Sequence, residues 1–139
     1  DILAAYLYAQ FEASGTIQEK RQKIWERYNK NLKKWAENCN IRLPIVPPNR
    51  DQPYHMFYLI MPSYDKRQAL ITHLKNRGIL SVFHYLPLHL SKIGLSYGYK
   101  EGYCPVTEDI SNRLLRLPFY NDLSESDHEQ VIEAVTSFA

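Results

Sequence analysis

Apolar and polar positions follow one rhythm at the start of the chain and another in its middle. Over residues 1–12 they hardly alternate. Leu3, Leu7 and Phe11 form an apolar stripe, Tyr6 and Tyr8 flank it, and Ala4, Ala5 and Ala9 are small. A helix this apolar needs cover on more than one side. Asp1 stands at its N-cap position, and Ser14-Gly15 is expected to break it. Thr16 and Glu19 fit a capping box for a second helix. Ile17, Arg21, Ile24, Tyr28, Leu32 and Trp35, joined by Trp25, then recur every three or four residues. That spacing predicts an amphipathic helix to about Asn38. Pro44, Pro47 and Pro48 end the section, leaving room for a short edge strand over residues 41–46, where proline is tolerated. Residues 54–61 (YHMFYLIM) are largely apolar on both faces, which predicts a central strand covered by helices on at least one side.

Beyond Pro62-Ser63, Asp65 and Gln68 fit another helix start, Ala69, Leu70, Ile71 and Leu74 supply its apolar positions, and Gly78 fits its C-cap. Residues 79–85 read as a second strand. Strand, helix, glycine and strand predict a compact α/β domain, a small sheet packed by helices; the spacing leaves parallel and antiparallel pairing open. Residues 86–105 are irregular, with Pro87, Gly94, Gly98, Gly102, Tyr97, Tyr99 and Tyr103. A structureless connection that long is uncommon and suggests a functional or mobile loop. Thr107 opens a short helix through Leu115, and Leu117-Pro118-Phe119-Tyr120 is an extended exit. Ser124, with Glu125 and Asp127 in the first turn, opens the last helix, whose packing face is Val131, Val135 and Phe138, aided by Ile132. No repeat or low-complexity segment interrupts the pattern.

Composition narrows the class. The chain has 139 residues, 45% of them hydrophobic and 23% charged, with a formal net charge of +2. That is a globular balance, not a disordered one. The basic residues Lys20, Arg21, Lys23, Arg27, Lys30, Lys33 and Lys34 are interrupted by Glu19 and Glu26 and read as a solvated helix face, so no nucleic-acid partner is expected. Cys39 and Cys104 form neither a disulfide framework nor a structural zinc site. No signal peptide or spanning segment is visible, and a cytoplasmic, reduced protein is expected. The 11 tyrosines and 2 tryptophans suit pockets or interfaces, or simply the cover of a small sheet. An apolar helix that begins at the first residue, with no disposable leader, suggests the C-terminal part of a longer protein.

The densest candidate chemistry is His84-Tyr85-Leu86-Pro87-Leu88-His89. His84 closes a predicted strand, where a sheet can present a side chain to a cleft. An imidazole there could bind phosphate, orient a sugar hydroxyl or relay a proton; an ordinary hydrogen-bonded structural role competes with each of these. His84, His89 and Cys104 are suitable zinc ligands but match no strong zinc spacing, so no metal site is assigned. Neither a nucleophile elbow nor a phosphate-binding glycine loop is present, and Lys92 sits in no context that would desolvate it for imine chemistry.

Four stretches together resemble the C-terminal portion of the DegT/StrS family of sugar-nucleotide aminotransferases, which use pyridoxal phosphate (PLP). They are Ala4-Ala5 with Gln10-Phe11-Glu12; residues 17–28 with Arg21; His84-Tyr85-Leu86-Pro87-Leu88-His89; and Arg113-Leu114-Leu115-Arg116-Leu117-Pro118-Phe119-Tyr120. Met56-Phe57-Tyr58, Gly78-Ile79 and Leu123-Ser124-Glu125 fall in matching order, so the resemblance covers essentially the whole chain. It implies the small C-terminal domain of the aspartate-aminotransferase-type (fold type I) PLP enzymes: a helical lead-in over residues 1–40 that packs on a large N-terminal domain, then the small domain over residues 41–139. It further implies a homodimer that moves an amino group from glutamate to a dTDP-4-keto-6-deoxyhexose for surface-polysaccharide synthesis. The wording is most similar to members that make dTDP-4-amino-4,6-dideoxygalactose. His84, Tyr85, His89 and Arg116 are then candidates for the cofactor or sugar-nucleotide cleft. The cofactor lysine lies in segments not among these residues, so no catalytic residue is assigned and the chain alone is expected to be inactive without bound PLP. A stand-alone nucleotide-sugar binding module and a structural or dimerising domain are the competing readings.

Overall fold

The structure, a computed structural model, describes residues 1–138. In chain order it contains α1 (Ile2–Glu12), α2 (Ser14–Asn38), β1 (Tyr58–Ile60), α3 (Tyr64–Lys75), α4 (Lys92–Ser96), α5 (Pro105–Arg113), β2 (Leu114–Arg116) and α6 (Glu125–Thr136). One turn of 3-10 helix covers Leu88–Leu90. Among these elements none is both long and apolar enough to cross a membrane.

The predicted periodicities recur, with altered boundaries. Ala13 alone separates α1 from α2, so Ser14-Gly15 opens the second helix and does not break the first. Ala13 is also the α2 N-cap, and no side-chain bond caps either helix; the expected Thr16 box is absent because Thr16 lies within α2. Ser63 caps α3 by accepting from the Lys66 amide at 3.2 Å. Ser124 caps α6 by accepting from the Asp127 amide at 3.0 Å. The end of α3 is closed by Gly78, whose φ of 74° lets the Ile79 amide return to the Leu74 carbonyl at 3.0 Å. That left-handed position suits a residue without a Cβ.

The sheet is smaller than the apolar runs suggest. β1 pairs with β2 antiparallel, Leu59 opposite Leu115. Residues 41–46 contribute one bridge, Arg42 to Ile60, and residues 79–85 one bridge, Val82 to Arg116. With a three-residue partner at its centre, the ladder cannot extend along the rest of either run.

The core lies between this sheet and α2, α3 and α6. Tyr28, Leu32, Phe57, Leu59, Leu70, Leu74, Leu115 and Val135 are fully buried. The core crosses residue 40, because α2 supplies Ile24, Trp25, Tyr28, Leu32 and Ala36 to it. The Tyr28 hydroxyl donates to the Pro118 carbonyl at 2.9 Å, and the Trp35 indole donates to the Phe138 carbonyl at 3.0 Å. By contrast, α1 has no buried residue.

Candidate functional site

Where the Val82 bridge ends, the chain passes over the edge of the sheet and presents His84 and Tyr85. Their rings stack at 3.7 Å with 18° between planes. From the neighbouring strand, Arg116 reaches the His84 ring and donates to Nδ1. The same Nη1 lies 3.2 Å from Nε2, and because a guanidinium has no lone pair to offer, the ring nitrogen that meets it accepts. Burial and then the Arg116 charge hold the His84 pKa below its ordinary value. The imidazole is therefore neutral near pH 7, with one N–H to donate.

His84 and Tyr85 form one side of a cleft of about 680 Å³. Arg67, Gln68 and Tyr64 from α3, Ser81 and Phe83 from the preceding segment, and Ser111 and Asn112 from the end of α5 are among the residues that line the rest. A second hollow of about 430 Å³ lies beyond the same segment, between Tyr85, Leu88, Val106 and Ile110. The 84–87 segment is thus a wall shared by two recesses.

The structure brings together three of the four residues singled out in the sequence: His84, Tyr85 and Arg116. His89 lies elsewhere. The 3-10 turn carries it to Glu108, whose Oε1 it meets at 2.7 Å, with both side chains largely buried. The Glu108 carboxylate also accepts from the amides of Gly102 at 3.0 Å and Cys104 at 3.2 Å. Those bonds, the one with His89 foremost, hold its pKa below the usual carboxylate value. His89 therefore fastens the tyrosine-rich loop and does not line either recess. Residues 88–96 are folded into the 3-10 turn and α4, while residues 97–104 hold only turns, so the stretch expected to be irregular is helical in its first half.

Arg67 is the residue the sequence reading missed. It is 5% exposed, with its guanidinium 4.9 Å from the Tyr64 ring centre and 5.2 Å from that of Phe83. Its Nη1 donates to the Ser111 carbonyl at 2.8 Å. A charged residue beside Lys66 and Gln68 looks solvated in sequence; the only available hint is that it falls three residues before Leu70, on the helix face that turns inward.

An α/β small domain with this order of elements, and a cleft at its sheet edge, belongs to a known class. The chain is a member of the DegT/DnrJ/EryC1/StrS aminotransferase family, which it matches over residues 1–136. Among its relatives, the pleiotropic regulatory protein of Geobacillus stearothermophilus is 32% identical over 139 residues, covering 99% of this chain and 36% of that protein. The dTDP-3-amino-3,4,6-trideoxy-alpha-D-glucose transaminase of Streptomyces venezuelae is 33% identical over 100 residues, 71% of this chain and 26% of that protein. The crystal structure of S. venezuelae DesV in complex with a ketimine intermediate superposes with a TM-score of 0.85 at 29% identity, covering 96% of this chain and 34% of that one. An aminotransferase, TlmJ, from Streptoalloteichus hindustanus gives 0.80 at 30%, covering 94% and 34%. The chain spans about a third of the length of these relatives. The structural neighbours are fold type I PLP enzymes, so the fold class expected from the sequence holds.

The family depends on PLP, which as an aldehyde cofactor supplies an electron sink for transamination. The larger cleft does not fit it unaided. Among the described residues that line this cleft there is no lysine to take up the aldehyde and no carboxylate to pair with a pyridine nitrogen.

Proposed function

We propose that this chain is the C-terminal portion of a PLP-dependent sugar-nucleotide aminotransferase, working in the cytoplasm on a dTDP-4-keto-6-deoxyhexose with glutamate as amino donor. Its product would be dTDP-4-amino-4,6-dideoxygalactose or a close relative. The observation that carries this reading is the wall of the larger cleft: a neutral His84 held by Arg116, beside an exposed Tyr85 ring. The His84 ring N–H would donate to a substrate oxygen, Tyr85 would lie against the sugar or base, and Arg116 would act through His84. His89 would position the loop over residues 97–104. A large N-terminal domain would supply the cofactor lysine, and α1, apolar and unburied, would pack on it; two such chains would form the homodimer.

The test uses the longer protein that contains this segment, supplied with PLP, dTDP-4-keto-6-deoxyglucose and glutamate. Equal amounts of aminosugar and 2-oxoglutarate are expected, and none from the 139-residue chain alone. Exchanging His84 for Phe should raise the KM for the nucleotide sugar about tenfold, the loss of one hydrogen bond of ~1.4 kcal/mol. Vigorous transamination by the short chain overturns the proposal. Tight dTDP-sugar binding without turnover in the longer protein would favour a binding module instead.

A further inference from the structure

Within the described residues, the cations recorded in ion pairs are Lys20, Arg27, Arg113 and His89. Arg67 is not among them, although it is far more buried than the side chains of the three lysine and arginine members. Its Nε has no hydrogen-bond partner. Ser81, which lines the same cleft and is 6% exposed, has an Oγ equally without one.

A guanidinium removed from water needs compensation, and a buried cation without a counter-charge is among the more costly arrangements in a protein. The faces of Tyr64 and Phe83 offset part of that cost, because arginine is weakly hydrated and attracted to aromatic quadrupoles. One carbonyl, from Ser111, satisfies one of its five N–H groups. The described lining of the cleft contains no aspartate or glutamate to complete the set. It does contain further donors: Gln68 and Asn112, both exposed, and the ring N–H of His84. Cationic and amide donors lining a recess without an acid complement an anion with several acceptor oxygens.

We propose that Arg67 and the Ser81 hydroxyl form an oxyanion subsite in the larger cleft, which receives a carboxylate or a phosphate group. The subsite does not depend on the aminotransferase reading. Two sources share the chemistry: the carboxylate of an amino or oxo acid, and a phosphate of a nucleotide-linked substrate.

The experiment uses the 139-residue chain, labelled with nitrogen-15 so that the Arg67 Nε–H signal is followed while inorganic phosphate or glutarate is added at constant ionic strength, with chloride as control. A saturable shift with phosphate alone assigns the subsite to phosphate; with glutarate alone, to a carboxylate; with both, to the shared chemistry. Ser81→Ala should weaken that response severalfold while the spectrum stays dispersed. Arg67→Gln should abolish the rise in Tm that the same anion gives the parent chain. No saturable shift, an equal shift with chloride, or an unchanged affinity in Ser81→Ala overturns the proposal, whether or not Arg67→Gln folds. Absence of transamination in the longer protein leaves all these outcomes unaffected, so the two ideas fail separately.

Discussion

His128 shows how far one side chain can depart from its sequence context. It stands between Asp127 and Glu129 on α6 and reads as solvent-facing. In the fold it is 2% exposed, its ring packs edge to face with Tyr28 with the ring centres 4.1 Å apart, and its Nε2 has no partner. Burial first, then the Arg27 charge, lower its pKa from 6.5 to about 4, against a smaller opposing effect of Glu129. Because the folded value lies below the unfolded one, the unfolded chain binds the proton more readily. The stability is intact above pH 6.5 and drains away as pH falls towards 4. At most about 3 kcal/mol is at stake. The urea midpoint should therefore fall between pH 7 and pH 4, and His128→Leu should flatten that dependence; a slope unchanged by the substitution would exclude His128 as its origin. Sequence singled out His84 and His89 by their nearness along the chain. It separated neither of them from the other, nor marked His128 and Arg67, because burial and partners are set by elements distant in sequence.

Helices were more legible than strands, for a reason visible in their ends. Ser63 and Ser124 satisfy amides three residues on, a local bond that local sequence can announce. Strand length depends on the partner: the apolar runs at 54–61 and 79–85 keep three residues and one bridge because β2 is only three residues long. The helical turns at residues 88–96 escaped recognition because their order comes from Glu108 and from a close approach at Gly94. A Cβ built on Gly94 would lie 2.5 Å from the carbonyl oxygens of both Leu88 and His89. Those are backbone atoms with little room to yield, so α4 and the 3-10 turn must part if a methyl is added. Gly94→Ala is expected to cost about 1–3 kcal/mol. Amide hydrogen exchange should quicken across residues 88–99 while the amides of α2 and α6 stay protected. Uniform exchange across the mutant and parent chains would show that the contact is not restrictive.

For the molecule as a whole, the conspicuous feature is α1. Ile2, Leu3, Tyr6, Leu7, Tyr8 and Phe11 are each at least half exposed, side by side on one helix. Exposed apolar patches of this kind drive association. The 139-residue chain should self-associate in sedimentation experiments, and removal of residues 1–12 should restore a monomer. Because α1 buries nothing, that removal should change the unfolding free energy by no more than about 0.5 kcal/mol. A monomer at high concentration with α1 present would contradict this. The need for cover on this helix was readable from its unbroken apolar composition. The core's reach across residue 40 was not, since the α2 periodicity says which face is buried and not what buries it.

The pairing of α2 with α6 fixes when the protein can become compact during synthesis. Trp35 bonds to Phe138 across 103 positions, and Tyr28 packs on His128. Until α6 has cleared the ribosomal tunnel, the inner side of α2 has no lid and must wait, open to chaperones and proteases, for residues made about a hundred positions later.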